Sequence, residues 1–366
     1  MTNQLLARLQ IGDLFWRRVV QPRLFQKNAE NAHTATVALL KQMQNKHMLG
    51  MLRYFYRSPV SECKNMDHVL PGIFLCNVVG LAAGFDKQAE IIAALDALGF
   101  GSIEVGTVTP VRQYGNDLPR VFRYPERRAI INRYGFNSVG APMVAENLRR
   151  TFLRYGRCGI HAAVGVSLGK NKCTPDEEAV KDYVTAYRAV RPHLRRGDYI
   201  KINISSPNTP GLRAIFNRLD EFLAELVDWF SNPFDYMLPL VLKVPPDGLT
   251  PADYVRVVET AARRGFVAIE ATNTTTDEAI KARWGLSEAG GLSGEPLRER
   301  SLEVLRAMKD AAKANNIRLI GVGGISHASH ALEKRRAGAV AVQCYTGLVF
   351  RGPILIHEIL EAWQNK

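Results

Sequence analysis

Eight short, continuously apolar runs recur along the chain, and helix-like segments separate them. The runs are NVVGLAAGF (77–85), GSIEVGTV (101–108), HAAVGVSL (161–168), DYIKINIS (198–205), LPLVLKV (238–244), FVAIEATN (266–273), IRLIGVGG (317–324) and AVAVQCY (339–345). They do not alternate apolar with polar, so they read as strands buried on both faces, which is the signature of parallel sheet. Helical patterns lie between them, among them DKQAEIIAALDALG (86–99), DEEAVKDYVTAYRAV (176–190) and TPADYVRVVETAARRG (250–265). Eight such units predict an α/β chain closed into a (β/α)8 barrel. Between the second and third runs, RVFRYPERRAIINRYGFN (120–137) reads as a β-hairpin inserted over the barrel mouth.

The first 68 residues have a different texture and predict a separate helical module, with the barrel over 69–366. LFWRRVVQPRLF (14–25) mixes bulky apolar residues with Arg17, Arg18 and Arg23. Asn28 is a plausible N-cap for a helix carrying Ala32, Thr36, Leu39 and Met43 on one face. Met48, Met51, Leu52 and Phe55 form a second apolar stripe, edged by Arg53 and Arg57. Such a module either packs on the main domain or lies on an anionic membrane.

Composition narrows the function. The chain has 366 residues and a formal net charge of +13, which suits nucleic acid, an anionic membrane or small anionic ligands. No nucleic-acid-binding motif accompanies the charge. Five scattered cysteines, never in a C-x-x-C, fit a reducing compartment better than a disulfide framework. No Cys/His cluster suggests a metal. No apolar run approaches the length of a membrane span, and no cleavable signal pattern is present.

In a (β/α)8 barrel the reactive groups sit at the C-terminal ends of the strands. There this chain places Asp86 and Lys87, Gly106 and Thr107, Asn203, Ser206 and Asn208, Lys243, and Thr272–Thr274, with Asn132 and Asn137 added by the hairpin. Uncharged hydrogen-bonding groups and two lysines suit a flat, polar, anionic ligand. Three glycine-rich stretches, GGLSG (290–294), GVGG (321–324) and YTG (345–347), fall where backbone amides can approach a phosphate. The plainer reading of the same glycines is tight turns. GVSLGKN (165–171) is one residue short of a P-loop, and no G-x-G-x-x-G follows the first strand.

GLAAGFDK, VGTVTP, PRVFR, INRYGFNS, GKNK, NISSPNTPGLR, ATNTT, GGLSG, GVGGI and YTGL occur in that order. From about Asn28 to the C-terminus the chain therefore resembles the class 2, membrane-associated, quinone-using dihydroorotate dehydrogenases. The resemblance implies an oxidoreductase of pyrimidine biosynthesis that holds one flavin mononucleotide (FMN) and oxidises dihydroorotate to orotate. It places the catalytic base at Ser206, where class 1 enzymes carry cysteine, with Thr209 and Phe136 shaping a small proton-relay pocket. On the loop alone, Ser205 and Ser206 read equally well as a hydroxyl turn ahead of Pro207. The substrate positions implied are Lys87, Asn132, Arg133, Tyr134, Gly135, Phe136, Asn203, Asn208, Asn273 and Thr274. Ala83, Gly84, Phe85, Asp86, Lys87, Thr107, Ser167, Asn203, Lys243, Thr272, Gly294, Gly324, Tyr345 and Thr346 match the FMN positions. Lys243 is expected near the N1/C2 edge of the flavin, where positive charge stabilises the reduced ring.

The same resemblance turns the N-terminal helices into a hydrophobic tunnel for a membrane quinone, its inner end lined by His33, Arg123 and Tyr345. It implies peripheral association with an anionic membrane, at the cytoplasmic face of a bacterial inner membrane or at the mitochondrial inner membrane, and no nucleic-acid partner. Two other readings compete: another FMN-dependent barrel oxidoreductase, or a non-catalytic flavin-binding protein of the membrane surface. One position departs from the family pattern, Ser167 standing where an asparagine is usual. Ser167→Asn is expected to change flavin retention or potential modestly without abolishing turnover, as measured by flavin release and spectroelectrochemistry; no change in either removes the idea.

Overall fold

The structure is a computed structural model that describes residues 3–57, 66, 69–156, 158–206, 212–231 and 236–365. Its strands are β1 (Val79–Asp86), β2 (Ser102–Val108), β3 (Val121–Tyr124), β4 (Ala129–Asn132), β5 (Ala163–Leu168), β6 (Tyr199–Asn203), β7 (Leu240–Val244), β8 (Ala268–Ala271), β9 (Gly291–Gly294), β10 (Arg318–Val322) and β11 (Ala339–Cys344). Eight of them close a parallel barrel in the order β1-β11-β10-β8-β7-β6-β5-β2. These are the eight apolar runs, most of them shortened at their ends, with β1 extending one residue further, to Asp86. β5, β6, β7 and β8 are buried at every position, as strands covered on both faces must be.

β3 and β4 form the predicted hairpin, pairing Val121 with Asn132 and Tyr124 with Ala129. GGLSG is more than a glycine loop: as β9 it adds a third antiparallel strand to the hairpin, Asn132 opposite Gly291 and Ala129 opposite Gly294. The edge strand β9 of this small sheet is tied to the segment after β8 by a bridge between Leu292 and Thr275. Four-residue strands with two terminal glycines carry little local β signal, so only the partner strand reveals this one.

Helices α1 (Asn3–Phe15), α2 (Gln21–Phe25), α3 (Ala29–Asn45) and α4 (Leu49–Tyr56) precede the barrel, with a π-helical segment, Trp16–Val20, joining the first two. Asn28 caps α3, its side chain accepting the amide of Asn31 at 2.8 Å. α1 was not evident from periodicity because its apolar residues follow no single face. It is held instead by tertiary contacts. Leu5 and Leu9 pack on Ile354, and Asp13 pairs with Arg351 at 2.5 Å. Among the described residues, seven of the sixteen exposed large hydrophobic side chains lie in these four helices, Leu6, Ile11, Leu14, Phe15, Leu39, Met51 and Tyr54, and an eighth, Met48, lies in the turn just before α4.

The outer helices are α5 (Ile92–Ala97), α6 (Ala141–Tyr155), α7 (Ala179–Val190), α8 (Leu219–Phe230), α9 (Pro251–Arg263), α10 (Glu278–Arg283), α11 (Arg298–Ala314), α12 (Ala328–Arg336), α13 (Thr346–Arg351) and α14 (Ile354–Gln364). α9 starts at a capping box in which Thr250 and Asp253 satisfy each other's amides. α5 is much shorter than its pattern predicts. The Asp86 carboxylate accepts the amides of Glu90 at 2.9 Å and Ile91 at 3.0 Å, and so holds residues 87–91 in a turn. No helix among the described residues is long and apolar enough to cross a membrane. The reading of the cysteines as thiols needs one correction: Cys76 is disulfide-bonded, while Cys158, Cys173 and Cys344 are free. Pairing depends on spatial proximity, which spacing along the chain does not report.

The N-terminal helices are tied to the barrel by charge as well as packing. Asp96 of α5, 1% exposed, accepts the amides of His161 and Ala162, both at 2.9 Å, and faces Arg53 in the last turn of α4 at 4.0 Å and Arg57 just beyond it at 3.8 Å. Burial alone raises a carboxyl, but His161, the Ala162 amide and Arg57 outweigh it and hold Asp96 below its ordinary value. The stability it supplies is therefore present above the unfolded-state pKa and lost as pH falls through the lowered folded value. Asp96→Ala is expected to cost roughly 3 kcal/mol in urea unfolding, because two buried amides and the arginines lose their acceptor; a cost under about 0.5 kcal/mol contradicts this account.

Candidate active site

Parallel register places the central polar groups. Asn203 at the end of β6 lies beside Lys243 of β7, and Lys243 lies beside Glu270 of β8. Side chains in register on adjacent parallel strands share a face, here the barrel interior. Lys243 meets Glu270 at 2.5 Å, and Glu270 meets Lys201 of β6 at 3.0 Å. Lys201 also bonds Glu104 of β2, which accepts Tyr199 Oη and Gln343 Nε2, both at 2.9 Å. Two carboxylates thus oppose two ammonium groups inside the barrel. Glu104, Lys201 and Glu270 are fully buried, and Lys243 is 6% exposed toward the mouth.

This balance sets the protonation states. Burial disfavours the Glu270 carboxylate, yet Lys201 and Lys243 pull it down to about 2. Burial lowers the Lys243 amine, and Glu270 resists that shift. Burial, reinforced by the Glu270 charge, raises Glu104. Sequence reasoning singled out Lys243 but missed Glu104, Lys201 and Glu270. The available signal was a charged residue in the middle of each of three otherwise apolar runs.

A cavity of about 570 Å³ opens above this cluster. Its polar end is lined by Lys87, Asn132, Tyr134, Gly135, Phe136, Asn203, Ser206, Lys243, Thr272, Asn273 and Thr274. The two adjacent serines divide there. Ser205 Oγ donates to Asn203 Oδ1 and accepts from Asn273 Nδ2, both at 3.0 Å, and it does not line the cavity. Ser206, 4% exposed, does line it. Of the two serines weighed on the loop alone, only Ser206 faces the cavity; Ser205 is taken up by the side chains of Asn203 and Asn273. Asn208 and Thr209 lie outside the described residues.

Lys87 reaches in from the end of β1. It donates to Asn137 at 2.8 Å and sits 3.0 Å over the Tyr134 ring. Burial holds its amine well below the ordinary value, with Glu30 opposing and Arg120 reinforcing. Gly135 and Phe136 both take positive φ, +67° and +53°, an unusual backbone for phenylalanine. Gln113 supports them by donating from Nε2 to the carbonyls of Gly135 at 3.0 Å and Phe136 at 2.9 Å. Asn171 in turn donates to Gln113 Oε1 at 3.0 Å. Neither supporting amide was assigned this role from sequence.

Three expected contacts do not reach the cavity. Arg133 turns outward to the carbonyls of Pro119 and Ala289 and stacks over Phe122. Asp86 is consumed by the turn after β1, and burial raises it to about 6 against the amides it accepts. Ser167 lies behind Thr107, their hydroxyls 3.1 Å apart, while Thr107 accepts Asn203 Nδ2 at 2.9 Å. Alternation along a strand, or a turn that recruits a side chain, decides these directions.

The cavity also meets Ala83, Gly84, Phe85, Thr107, Gly294, Gly323, Gly324, Tyr345 and Thr346. Gly294, Gly323 and Gly324 have φ of +92°, +95° and +74°. A Cβ on Gly324 would fall 2.3 Å from the Arg298 backbone, and one on Gly294 would fall 2.1 Å from the Arg128 carbonyl. Bare backbone therefore faces this corner, beside the Thr346 hydroxyl.

From there the same cavity continues between the N-terminal helices. His33, Phe85 and Tyr345 stack edge to face in succession at 5.2 and 5.7 Å. Burial, helped by Lys87 and opposed by Glu30, brings His33 down to about 4, so its imidazole is neutral at pH 7. Arg123 holds the carbonyls of Phe25 and Lys27 at 3.0 and 2.9 Å. Beyond them the lining turns apolar, with Phe15, Leu39, Met43, Met51 and Phe55. The arrangement joins a polar, cation-lined chamber suited to a planar anion with an apolar passage leading to the exposed face of α1–α4.

Glu270→Gln leaves Lys201 and Lys243 without their shared carboxylate. It is expected to destabilise the fold by roughly 3–5 kcal/mol, read as a lowered urea midpoint; an unchanged midpoint contradicts the charge balance described.

Comparison with known proteins fits this geometry. The family model described as dihydroorotate dehydrogenase matches residues 66–366. A Shewanella loihica protein named "Dihydroorotate dehydrogenase (quinone)" is 41% identical over 95% of this chain and 98% of its own length. A protein of the same name from Xanthomonas euvesicatoria pv. vesicatoria is 42% identical over 95% and 96%. The crystal structure of DHODH in complex with ferulenol from Eimeria tenella superposes with a TM-score of 0.79 and 31% identity, over 93% of this chain and 91% of that one.

Proposed function

The chain belongs to the dihydroorotate dehydrogenase family, in its quinone-dependent branch, and from that premise we propose how its residues divide the work. The reaction is the oxidation of dihydroorotate to orotate in pyrimidine biosynthesis, with a quinone as final acceptor. The observation that carries the assignment of roles is the single cavity, polar at the barrel mouth and apolar between α1 and α4.

Oxidation removes a proton from C5 of dihydroorotate and a hydride from C6. Ser206 is the group that takes the proton. Its hydroxyl is a weak base and must pass the proton on. Phe136, held by Gln113, walls the place where this happens, and Thr209 is the proposed next hydroxyl. Asn132, Asn203 and Asn273 orient the ring by giving and taking hydrogen bonds without adding charge. Asn208 is proposed as a further member of that set. Lys87 offers the substrate carboxylate a cation, and Tyr134 fixes the lysine's direction.

The lining fits flavin mononucleotide on the chemistry of its donors. Bare backbone at Gly294, Gly323 and Gly324 with the Thr346 hydroxyl suits the phosphate. Ala83, Gly84 and Thr107 would hold the ring, and Lys243 would supply positive charge to its electron-rich edge. When bound, the flavin supplies the hydride acceptor and the relay of electrons to the quinone. Lys243 keeps a positive charge beside that edge because Glu270 anchors it. His33, Arg123 and Tyr345 line the inner end of the quinone passage.

The apolar surface and basic edges of α1–α4 suit a peripheral seat on an anionic membrane. The bacterial relatives favour the cytoplasmic face of an inner membrane.

Anaerobic addition of dihydroorotate to the purified yellow protein should bleach its visible spectrum, and a quinone should restore it. Ser206→Ala should slow the bleaching at pH 7 by a factor of about 100 or more. Removal of residues 1–60 should leave bleaching intact and abolish restoration by quinone. Bleaching at the native rate in the Ser206 variant defeats the base assignment. Full quinone turnover in the shortened chain defeats the passage.

A further inference from the structure

Behind the glycine corner lies a lysine that none of these roles uses. Lys334 of α12 is fully buried. Its methylenes lie across β10, so close that a Cβ on Gly321 would fall 2.9 Å from Lys334 Cβ. Its ammonium donates to Ser301 Oγ of α11. Ser301 Oγ is 2.9 Å from the Arg298 carbonyl and 3.2 Å from the Gly323 carbonyl. One hydroxyl therefore separates Lys334 from the backbone that faces the cavity.

No carboxylate among the described residues pairs with Lys334. The charged groups facing it are Glu333 on its own helix and Arg298, Glu299 and Arg306 on α11. Glu333 is already taken by Arg298, at 2.6 and 2.8 Å. Burial brings the amine down to about 7. A lysine buried without a counter-ion is costly to keep charged and contributes nothing to packing that leucine or methionine would not. Its placement makes sense if an anion completes the pair from the cavity side of Gly323.

We propose that Lys334 is a positioning residue for a phosphomonoester seated at Gly323–Gly324, acting through Ser301 and the loop backbone, and that seating the phosphate draws one proton from solvent onto its amine. The inference rests on the flavin mononucleotide reading above. It adds a linkage: cofactor affinity depends on pH through the phosphate and not through the flavin ring.

The sign follows from linkage. Below pH 7 the free amine is already protonated and binding takes up no proton. Above it the bound state carries one proton more than the free state. The dissociation constant then rises by up to about tenfold per pH unit. The phosphate itself is a dianion throughout that range, since its second pKa is near 6.

The test is equilibrium dialysis of the full-length holoprotein between pH 6 and 9, against FMN and, separately, riboflavin. FMN affinity should be greatest at about pH 6.5, where phosphate and amine titration offset each other, and should fall toward tenfold per unit between pH 8 and 9. Riboflavin affinity should not share that slope, which controls for Lys87 and Lys243 near the ring. Lys334→Met should weaken FMN by tenfold or more, leave riboflavin unchanged and abolish the difference in slope. Equal slopes for FMN and riboflavin in the wild-type protein overturn the proposal without any variant, as does a Lys334→Met protein that keeps the FMN slope. Failure of the protein to hold either flavin would remove the cofactor reading and this inference with it.

Discussion

Four charges sealed inside the barrel organise the rest of the molecule. Glu104, Lys201, Glu270 and Lys243 come from four strands, and only Lys243 reaches the cavity. A lone buried charge is prohibitive, but two of each sign in mutual contact can stay ionised. The cluster joins β2, β6, β7 and β8 from within, where most barrels use branched aliphatic layers. It also presents one ammonium, that of Lys243, at the floor of the reactive chamber in a fixed direction. Stability and chemistry therefore depend on the same contacts.

Above that floor, the site is assembled from parts distant in sequence. The hairpin β3–β4 needs β9, more than 150 residues later, to complete its sheet. The strained Gly135–Phe136 turn is held by Gln113, which Asn171 holds in turn. The N-terminal helices join through a different pair. Glu30 of α3 takes the Arg120 guanidinium at 2.8 Å, and Arg120 lies over the same Tyr134 ring that Lys87 caps. Glu30 also bears electrostatically on His33 and Lys87. The apolar passage and the polar chamber thus share walls and charges.

Much of this was legible in the residues. Continuous apolar runs announced the parallel barrel, and the polar residues at their ends marked the mouth. Ser206, Lys87, Lys243, Asn132, Asn203, Asn273 and the glycine corner line the cavity. The family motifs carried the assignment much further than spacing alone. The misses share one cause. Glu104, Lys201 and Glu270 were hidden because a charge inside an apolar run has meaning only with its partners across the barrel. Arg133 and Asp86 were misplaced because a motif position does not say which way a side chain turns. α1 escaped because its apolar residues answer to α14 and not to a single helical face.

Local pattern alone determined the barrel, the hairpin, the cap of α3 and the residue types gathered at the mouth, because periodicity and turn chemistry act over a few residues. Tertiary structure decided which of two adjacent serines meets the cavity, which carboxylates neutralise which lysines, and that one passage runs from the N-terminal helices to the barrel floor. Those outcomes are set by register between strands and by burial. Both are properties of neighbours in space, and no window of sequence contains them.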